Sequence, residues 1–492
     1  MFHMTRPLRA LLIAAACGCV LPATAGASSW TSAVPGTVVS ATVLNAKLWI
    51  PGTTGKAFRL TYVTTDQRGA PALSSGELFV PKGTAPAGGW PVISWAHGTS
   101  GLGDSCAPSV IGPAEPERDF PYLSNWMKEG YAIVASDYAG LGTPGLPAYL
   151  GGRSEAHNIV DIAKAGRAYA ASSLPFGEQL SNRWVVIGQS QGAGAAIYAA
   201  RYATQFGGPG LDYLGAVGTG TPAYIEDYVS LLGPKAPPVA FPAGVTAYLS
   251  YIIVSLRYWH PELGIDAILT DTGRKYLGLG ETECLFAFEN ELNGVNIGDY
   301  FTRPLASLPN WQQTIDDYLA MPESGFDKPF FMGHGLFDTD VPYPLTAAYV
   351  AKLKANGQPV TFKTYASDHS GALIASQADT HPFVRALFAA SGPGPTAHVK
   401  TRIALLGKPQ LPSVLRRGLT VHVYTTPGSA VEVVAKLARK VIGSGHGSTS
   451  TAGIATVRIA FTPAAARELR HAHRAALRLI TTGATLAITL HR

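Results

Sequence analysis

The sequence predicts an α/β fold: a mostly parallel sheet wrapped by helices, a helical lid inserted into it, and a small β-rich domain behind it. Three observations carry this. Apolar strand-like runs alternate with helix-like segments from Val92 to Gly218 and again from Lys328 to Ala390, a pattern that pairs strands in parallel. The alternation stops between about Ala223 and Leu308, where no clear strand can be read. Beyond Ser391-Gly392-Pro393-Gly394-Pro395, a linker by composition, the chain carries 14 Lys and Arg against two acidic residues, leaving 24 basic and 30 acidic residues before it. That asymmetry marks a boundary.

The 492 residues allow two or three domains and a large core. With 14% charged residues, 54 Gly and 36 Pro, the composition suits a secreted, loop-rich protein. Arg6 and Arg9 precede an apolar run, Ala10 to Leu21, and Ala25-Gly26-Ala27 closes it with small residues. This predicts a secretory signal peptide cleaved after Ala27 and a secreted or extracytoplasmic protein. The run is too short to span a bilayer. Neither Cys17 nor Cys19 follows a convincing leucine-led lipidation motif. The expected division is a signal peptide at 1–27, a main domain at 28–392 with the lid at about 223–308, and a basic β-rich domain at 396–492.

Along the main domain, residues 28 to 50 read as an irregular lead-in. Phe58–Thr64 and Gly76–Val80 alternate as antiparallel strands do. Val92–Ala96 is a buried strand running into His97-Gly98-Thr99-Ser100, and Tyr131–Ser136 is the next strand. Glu155 to Ala171 reads as a helix. Leu214–Gly218 is a strand, and within the insertion Val245–Trp259 is apolar and aromatic while Ile265–Leu277 looks helical. Those aromatics either line an acyl-binding tunnel or pack the lid's own core. The sheet resumes at Lys328–Gly333, followed by a helix at Pro344–Asn356, the strand Val360–Tyr365 and a helix at Asp379–Ala390. In the tail, Leu419–Tyr424, Ala430–Ala435, Ala455–Phe461 and Thr485–Leu490 are strand-like, and Pro463 to Leu477 resembles a short basic helix. Its basicity would suit an anionic cell-wall polymer or lipid headgroups, or be a solvated surface without a partner.

The chemistry centres on Trp184-Val185-Val186-Ile187-Gly188-Gln189-Ser190-Gln191-Gly192-Ala193. A β-branched run stops at a glycine, a serine follows two positions later, and small residues of helical character come after. This is G-x-S-x-G between a strand and a helix, the turn that lifts a nucleophilic serine above a sheet. A serine hydroxyl needs an adjacent base, and the base an orienting carboxylate. In chain order the acid is Asp338, in Gly335-Leu336-Phe337-Asp338-Thr339-Asp340-Val341-Pro342 just past a strand, with Asp340 as competitor or helix cap. The base is His369, in the loop after Val360–Tyr365; His334 belongs to a strand end and His381 to the closing helix. The oxyanion hole would use the backbone N–H of Gln191 and a donor at Thr99, with Ser100 close behind. Export also favours oxidation of the remaining cysteine pair, Cys106 and Cys284; the alternative is two free buried thiols. No metal-ligand spacing, phosphate loop or cofactor motif is present, and nucleic-acid binding has only the basic tail in its favour.

Four motifs together give the main domain a family resemblance: His97-Gly98-Thr99 followed by Gly103-Asp104-Ser105-Cys106-Ala107-Pro108-Ser109; Asp137-Tyr138-Ala139-Gly140-Leu141-Gly142; Gly188-Gln189-Ser190-Gln191-Gly192; and Asp338 before Val341-Pro342. Over roughly residues 35 to 390 the chain resembles the secretory lipases, α/β-hydrolases of the fungal lipase A type. The resemblance implies a helical lid after the sixth strand, a disulfide from Cys106 to Cys284, and hydrolysis of lipid or other carboxylic esters without a cofactor; interfacial contact through the lid is one option for a partner, and interfacial activation is left open. The fungal enzymes use an acidic side chain near the oxyanion loop, where this chain has Thr99 and Ser100. The competing readings are an acyltransferase using the same acyl-enzyme, a serine peptidase, and a hydrolase-fold binding protein without catalysis.

Overall fold

A computed structural model describes residues 30–390, 401–407, 409–425, 429–449 and 454–492. The expected signal peptide and the linker at 391–395 lie outside the described residues. Two sheets organise the rest. The first has nine strands: β1 (Val38–Val43), β2 (Thr54–Thr65), β3 (Pro71–Pro81), β4 (Trp90–Ala96), β5 (Ala132–Ser136), β6 (Leu180–Gln189), β7 (Asp212–Thr219), β8 (Phe330–Gly335) and β9 (Val360–Tyr365). Their order is β1-β2-β3-β5-β4-β6-β7-β8-β9. The β1–β2, β2–β3 and β3–β5 pairings are antiparallel, and the rest are parallel.

The central strands read as continuous apolar runs because helices cover both faces. Trp184, Val185, Val186 and Ile187 of β6 are fully buried. Leu60, Leu78, Val92 and Val134 pack one face against the helices Gly152–Ser173 and Gln191–Gly207; Ile93, Ile133 and Val185 pack the other against Tyr122 and Trp126 of the helix Pro116–Lys128. β4 pairs with β5 on one side and β6 on the other, so the direction of strand addition reverses there. A crevice opens at the carboxyl ends of the strands at such a point.

Between β7 and β8 the described chain forms helices but no strand, including Ala243–Trp259, Asp271–Gly280, Leu285–Glu291 and Trp311–Leu319. This cap follows the seventh strand rather than the sixth because β1 precedes the strands read from sequence. Tyr251, Tyr300, Trp311 and Tyr318 are buried in its own cluster, so these aromatics serve the cap's packing. The span Ile265–Leu277 is not one helix: a turn at Ile265–Ile268 is separated by Leu269 and Thr270 from the helix Asp271–Gly280, and the Thr270 hydroxyl caps that helix by accepting from Gly273 N–H.

The second sheet comprises β10 (Arg402–Leu405), β11 (Leu419–Tyr424), β12 (Ala430–Leu437), β13 (Lys440–Ser448), β14 (Ile454–Phe461), β15 (Arg474–Thr481) and β16 (Ala484–His491), in the order β10-β11-β14-β13-β12-β15-β16. All its pairings are antiparallel. The helix expected over Pro463–Leu477 stops at Leu469. From Arg474 the chain is β15, with Ala475, Leu477 and Leu479 inward and Arg474 and Arg478 outward. Period-two burial overrides the helical preference of Ala and Arg here.

Candidate active site

The strand β6 ends at Gln189 and a helix starts at Gln191, leaving Ser190 alone on the turn with φ 58° and ψ −122°. That left-handed backbone is strained for a residue with a Cβ. The two flanking glycines make the turn feasible. A Cβ on Gly188 would collide with the Gly192 carbonyl oxygen, and one on Gly192 with the Ala96 carbonyl oxygen. The Gln191 N–H opens the helix, where the first amides lack intrahelical acceptors and the dipole is positive.

The ends of β8 and β9 deliver Asp338 and His369. Leu336 N–H donates to the Tyr365 carbonyl (2.8 Å) and Phe337 N–H to the Ser367 carbonyl (3.0 Å), lacing the two loops together. Asp338 Oδ2 lies 2.6 Å from His369 Nδ1. Its other oxygen, Oδ1, accepts from the N–H groups of Asp340 (3.0 Å) and Val341 (2.8 Å). Burial pushes the Asp338 carboxyl up, but the hydrogen bond and charge of His369, the Val341 amide and nearby His334 outweigh it and hold the group below its usual range. His334 is buried and sits within the end of β8. Its Nε2 is 2.9 Å from the Val341 carbonyl and 3.3 Å from Asp338 Oδ2, and burial lowers its pKa.

Asp340 neither binds His369 nor caps the next helix, whose N-cap is Pro342. Its carboxylate accepts from the Tyr248 hydroxyl of the cap at 3.4 Å. His381 stacks on Trp126 with ring centroids 3.8 Å apart and binds Glu129 at 2.6 Å, a packing role.

Ser190 and His369 each touch the end of β7. Ser190 N–H donates to the Thr219 carbonyl at 3.0 Å. The next residue, Gly220, has φ +70° and lies so close to the imidazole that a Cβ there would sit 2.8 Å from His369 Cε1. With Nδ1 engaged by Asp338, the buried Nε2 of His369 is left without a hydrogen bond; it is the nitrogen available to a serine hydroxyl.

The loop after β4 closes the other side. A Cβ on Gly98 would lie 3.6 Å from Ser190 Cβ, so Thr99 is one residue from the nucleophile turn. The Thr99 hydroxyl and the Tyr149 hydroxyl are 2.7 Å apart. Ser100 is buried, and its carbonyl accepts from Leu285 N–H of the cap at 3.0 Å. A Cys106–Cys284 disulfide, with Cα atoms 5.3 Å apart, ties the same loop to the same cap helix. The motif residues further along build the floor. Asp137 accepts from Ser75 Oγ (2.6 Å), from Ser109 N–H (2.9 Å) and from the Ser109 hydroxyl, while Arg59 Nε donates to Ser109 Oγ (2.8 Å).

The structure thus gathers Ser190, His369, Asp338, Gln191 and Thr99 around the ends of β4, β6, β7 and β8. Tyr149, Glu155 and His334 border this group without having been read from the sequence as functional. Among the described residues no group of three or more His, Cys, Asp or Glu could hold a metal ion, and no helix is long and apolar enough to cross a membrane.

The fold is that of an α/β-hydrolase. Residues 116–234 match the family described as secretory lipase. The chain is 26% identical over 328 residues to Lipase A of Moesziomyces aphidis, covering 63% of this chain and 67% of that protein. Candida antarctica lipase A superposes with a TM-score of 0.58 at 22% identity, over 75% of this chain and 85% of that one. The rice cell wall degrading esterase LipA from Xanthomonas oryzae gives 0.58 at 20% identity, over 72% and 98%. These comparisons liken the chain to carboxylic-ester hydrolases, the secretory lipases among them.

Proposed function

We propose that the protein is an exported serine esterase or lipase that cleaves acyl esters through an acyl-enzyme, with residues 28–392 carrying the chemistry and 396–492 forming a separate domain. Ser190 Oγ attacks the ester carbonyl while His369 Nε2 takes its proton. Asp338 holds the imidazole by Nδ1 and stabilises the imidazolium. The Gln191 N–H and a donor at Thr99 bind the tetrahedral oxyanion. Collapse expels the alcohol, which takes the proton from His369. Water then attacks the acyl-enzyme, with His369 again the base, and carboxylate leaves. The observation that carries this reading is the strained Ser190 turn facing, across Thr219 and Gly220, an imidazole paired to Asp338 at 2.6 Å. The names of the relatives support acyl esters as the substrate class.

The test is a p-nitrophenyl ester chain-length series on the wild type and Ser190→Ala, with a fluorophosphonate probe for the nucleophile. Wild type is expected to hydrolyse the esters and to be labelled at Ser190; the variant is expected to do neither. Retained hydrolysis in the variant would refute the assignment, and dominant transfer to an added alcohol over water would make the protein an acyltransferase.

A further inference from the structure

Both residues proposed to donate to the oxyanion have side chains tied to one short segment. Thr99 Oγ1 is 2.7 Å from the Tyr149 hydroxyl. Gln191 Nε2 donates to Glu155 Oε1 at 2.7 Å, and the same oxygen accepts from Leu150 N–H at 3.2 Å. Tyr149 and Glu155 are therefore six positions apart, at the turn leading into and the first turn of the helix Gly152–Ser173. The turn is held firmly. Leu150 adopts a left-handed φ of 58°. Gly151 N–H donates to the Ala148 carbonyl (2.8 Å) and Glu155 N–H to the Gly151 carbonyl (3.1 Å). The cap fixes Tyr149 from above: the Ser255 hydroxyl accepts from its N–H at 3.2 Å, and the Tyr318 hydroxyl donates to its carbonyl at 3.0 Å.

We propose that residues 149–155 form a brace that sets the spacing of the oxyanion hole, with Tyr149 and Glu155 as positioning residues acting through Thr99 and Gln191. The inference rests on the oxyanion assignment above. Its physical basis is preorganisation: donors help only if fixed where charge develops, and a misplacement of about 1 Å costs orders of magnitude in rate. Each donor sits on a different element, Thr99 on the loop after β4 and Gln191 at the start of the helix after β6. A segment bonded to both keeps their separation constant. The contact with the cap also means that cap packing bears on the hole through Tyr149.

Glu155 brings a titration that ordinary packing would not. It is buried, its Oε2 has no hydrogen bond, and burial raises its carboxyl to about 8, against the lowering effect of Gln191 and Leu150. No charged group contributes to that shift. The titratable groups facing it are the hydroxyls of Tyr138, Tyr149, Tyr198 and Tyr318, all raised by burial above their ordinary range. None of them ionises near pH 8. At neutral pH Glu155 is a neutral acid; above about pH 8 it places a negative charge beneath the hole, opposing the oxyanion.

The experiment uses the full chain with a short p-nitrophenyl ester and an alkyl trifluoromethyl ketone, which forms an oxyanion on the serine. Tyr149→Phe and Glu155→Leu are each expected to lower kcat about tenfold or more with KM nearly unchanged, and to weaken the ketone by a similar factor. Glu155→Gln keeps the Oε1 acceptor. It is expected to recover most of the kcat lost in Glu155→Leu and to abolish a fall in wild-type kcat above about pH 8. Tyr149→Phe keeps the ring packing, so it tests the brace even if Glu155→Leu folds poorly. The proposal is overturned if Tyr149→Phe keeps wild-type kcat and ketone affinity, or if Glu155→Gln retains the alkaline fall, while Ser190→Ala is inactive. If Ser190→Ala stays active, the functional reading fails first.

Discussion

Removing the Cys106–Cys284 bridge should destabilise the main domain by an amount that its span sets. The two cysteines are separated by 178 residues. In the chain-entropy description, closing a loop of that size removes about 17 cal/mol/K from the unfolded chain, about 5 kcal/mol at 25 °C. Unfolding entropy near 60 °C is about 2.1 cal/mol/K per residue, so for the stretch 30–390 a loss of 5 kcal/mol lowers Tm by about 7 °C. Cys106 is fully buried, and Ala in its place adds a small cavity cost. The comparison is therefore among oxidised wild type, reduced wild type, and Cys106→Ala/Cys284→Ala with and without reductant, by calorimetry. Reduced wild type and the double variant should melt several degrees below oxidised wild type, and the variant should ignore reductant. The bridge also holds the loop that carries Thr99 and Ser100. Without it, the Leu285 N–H to Ser100 carbonyl bond and the Gly101–Cys284 bridge pairing remain as local ties, so activity should be lost at lower temperature than in wild type. If oxidised wild type and the double variant melt together, the bond does not constrain this domain and the argument fails.

Asp338→Asn should lower kcat by about 10⁴ by stabilising the wrong imidazole tautomer, whereas Asp340→Asn, which alters a 3.4 Å contact with Tyr248, should cost far less; equal losses in steady-state assays would contradict the choice of acid. Gly192→Ala should abolish activity or soluble expression, because its Cβ meets the Ala96 carbonyl; an active, stable variant would show that the turn can open. Glu155 has a folded value of about 8, above its ordinary value, so the wild type loses stability as pH rises from the ordinary carboxylate range through 8. Glu155→Gln lacks that loss, and its Tm relative to wild type should rise by several degrees between pH 5 and 9, as read by thermal melts; a constant difference would mean the carboxyl does not titrate where burial implies.

The elements that the sequence made legible are those whose local signals agree with their packing. β9 spans Val360–Tyr365 as read, and the turn at Ser190 was visible because Gly188 and Gly192 are demanded by backbone contact within a few residues of each other. β1 was hidden for the opposite reason. Its burial runs partly buried then twice exposed along Val38–Val43, so no period-two apolar face marks it, and only pairing with β2 makes it a strand. β15 was misread because Ala and Arg favour a helix locally while the neighbouring strands β12 and β16 supply the ladder. The brace was invisible on other grounds. Thr99 and Tyr149 are 50 positions apart, as are the loops they belong to, and no spacing rule links a hydroxyl on one loop to a hydroxyl on another. Glu155 left a faint trace: a carboxylate one residue from Ala156 and four from Ile159, on the face that a helix buries against a sheet. An acid in that position must be neutral or paired. Its partner could be found only once β6 had carried Gln191 to the same place. Motif spacing therefore locates the candidate reacting groups, while the side chains bonded to them from distant segments are placed by tertiary packing alone.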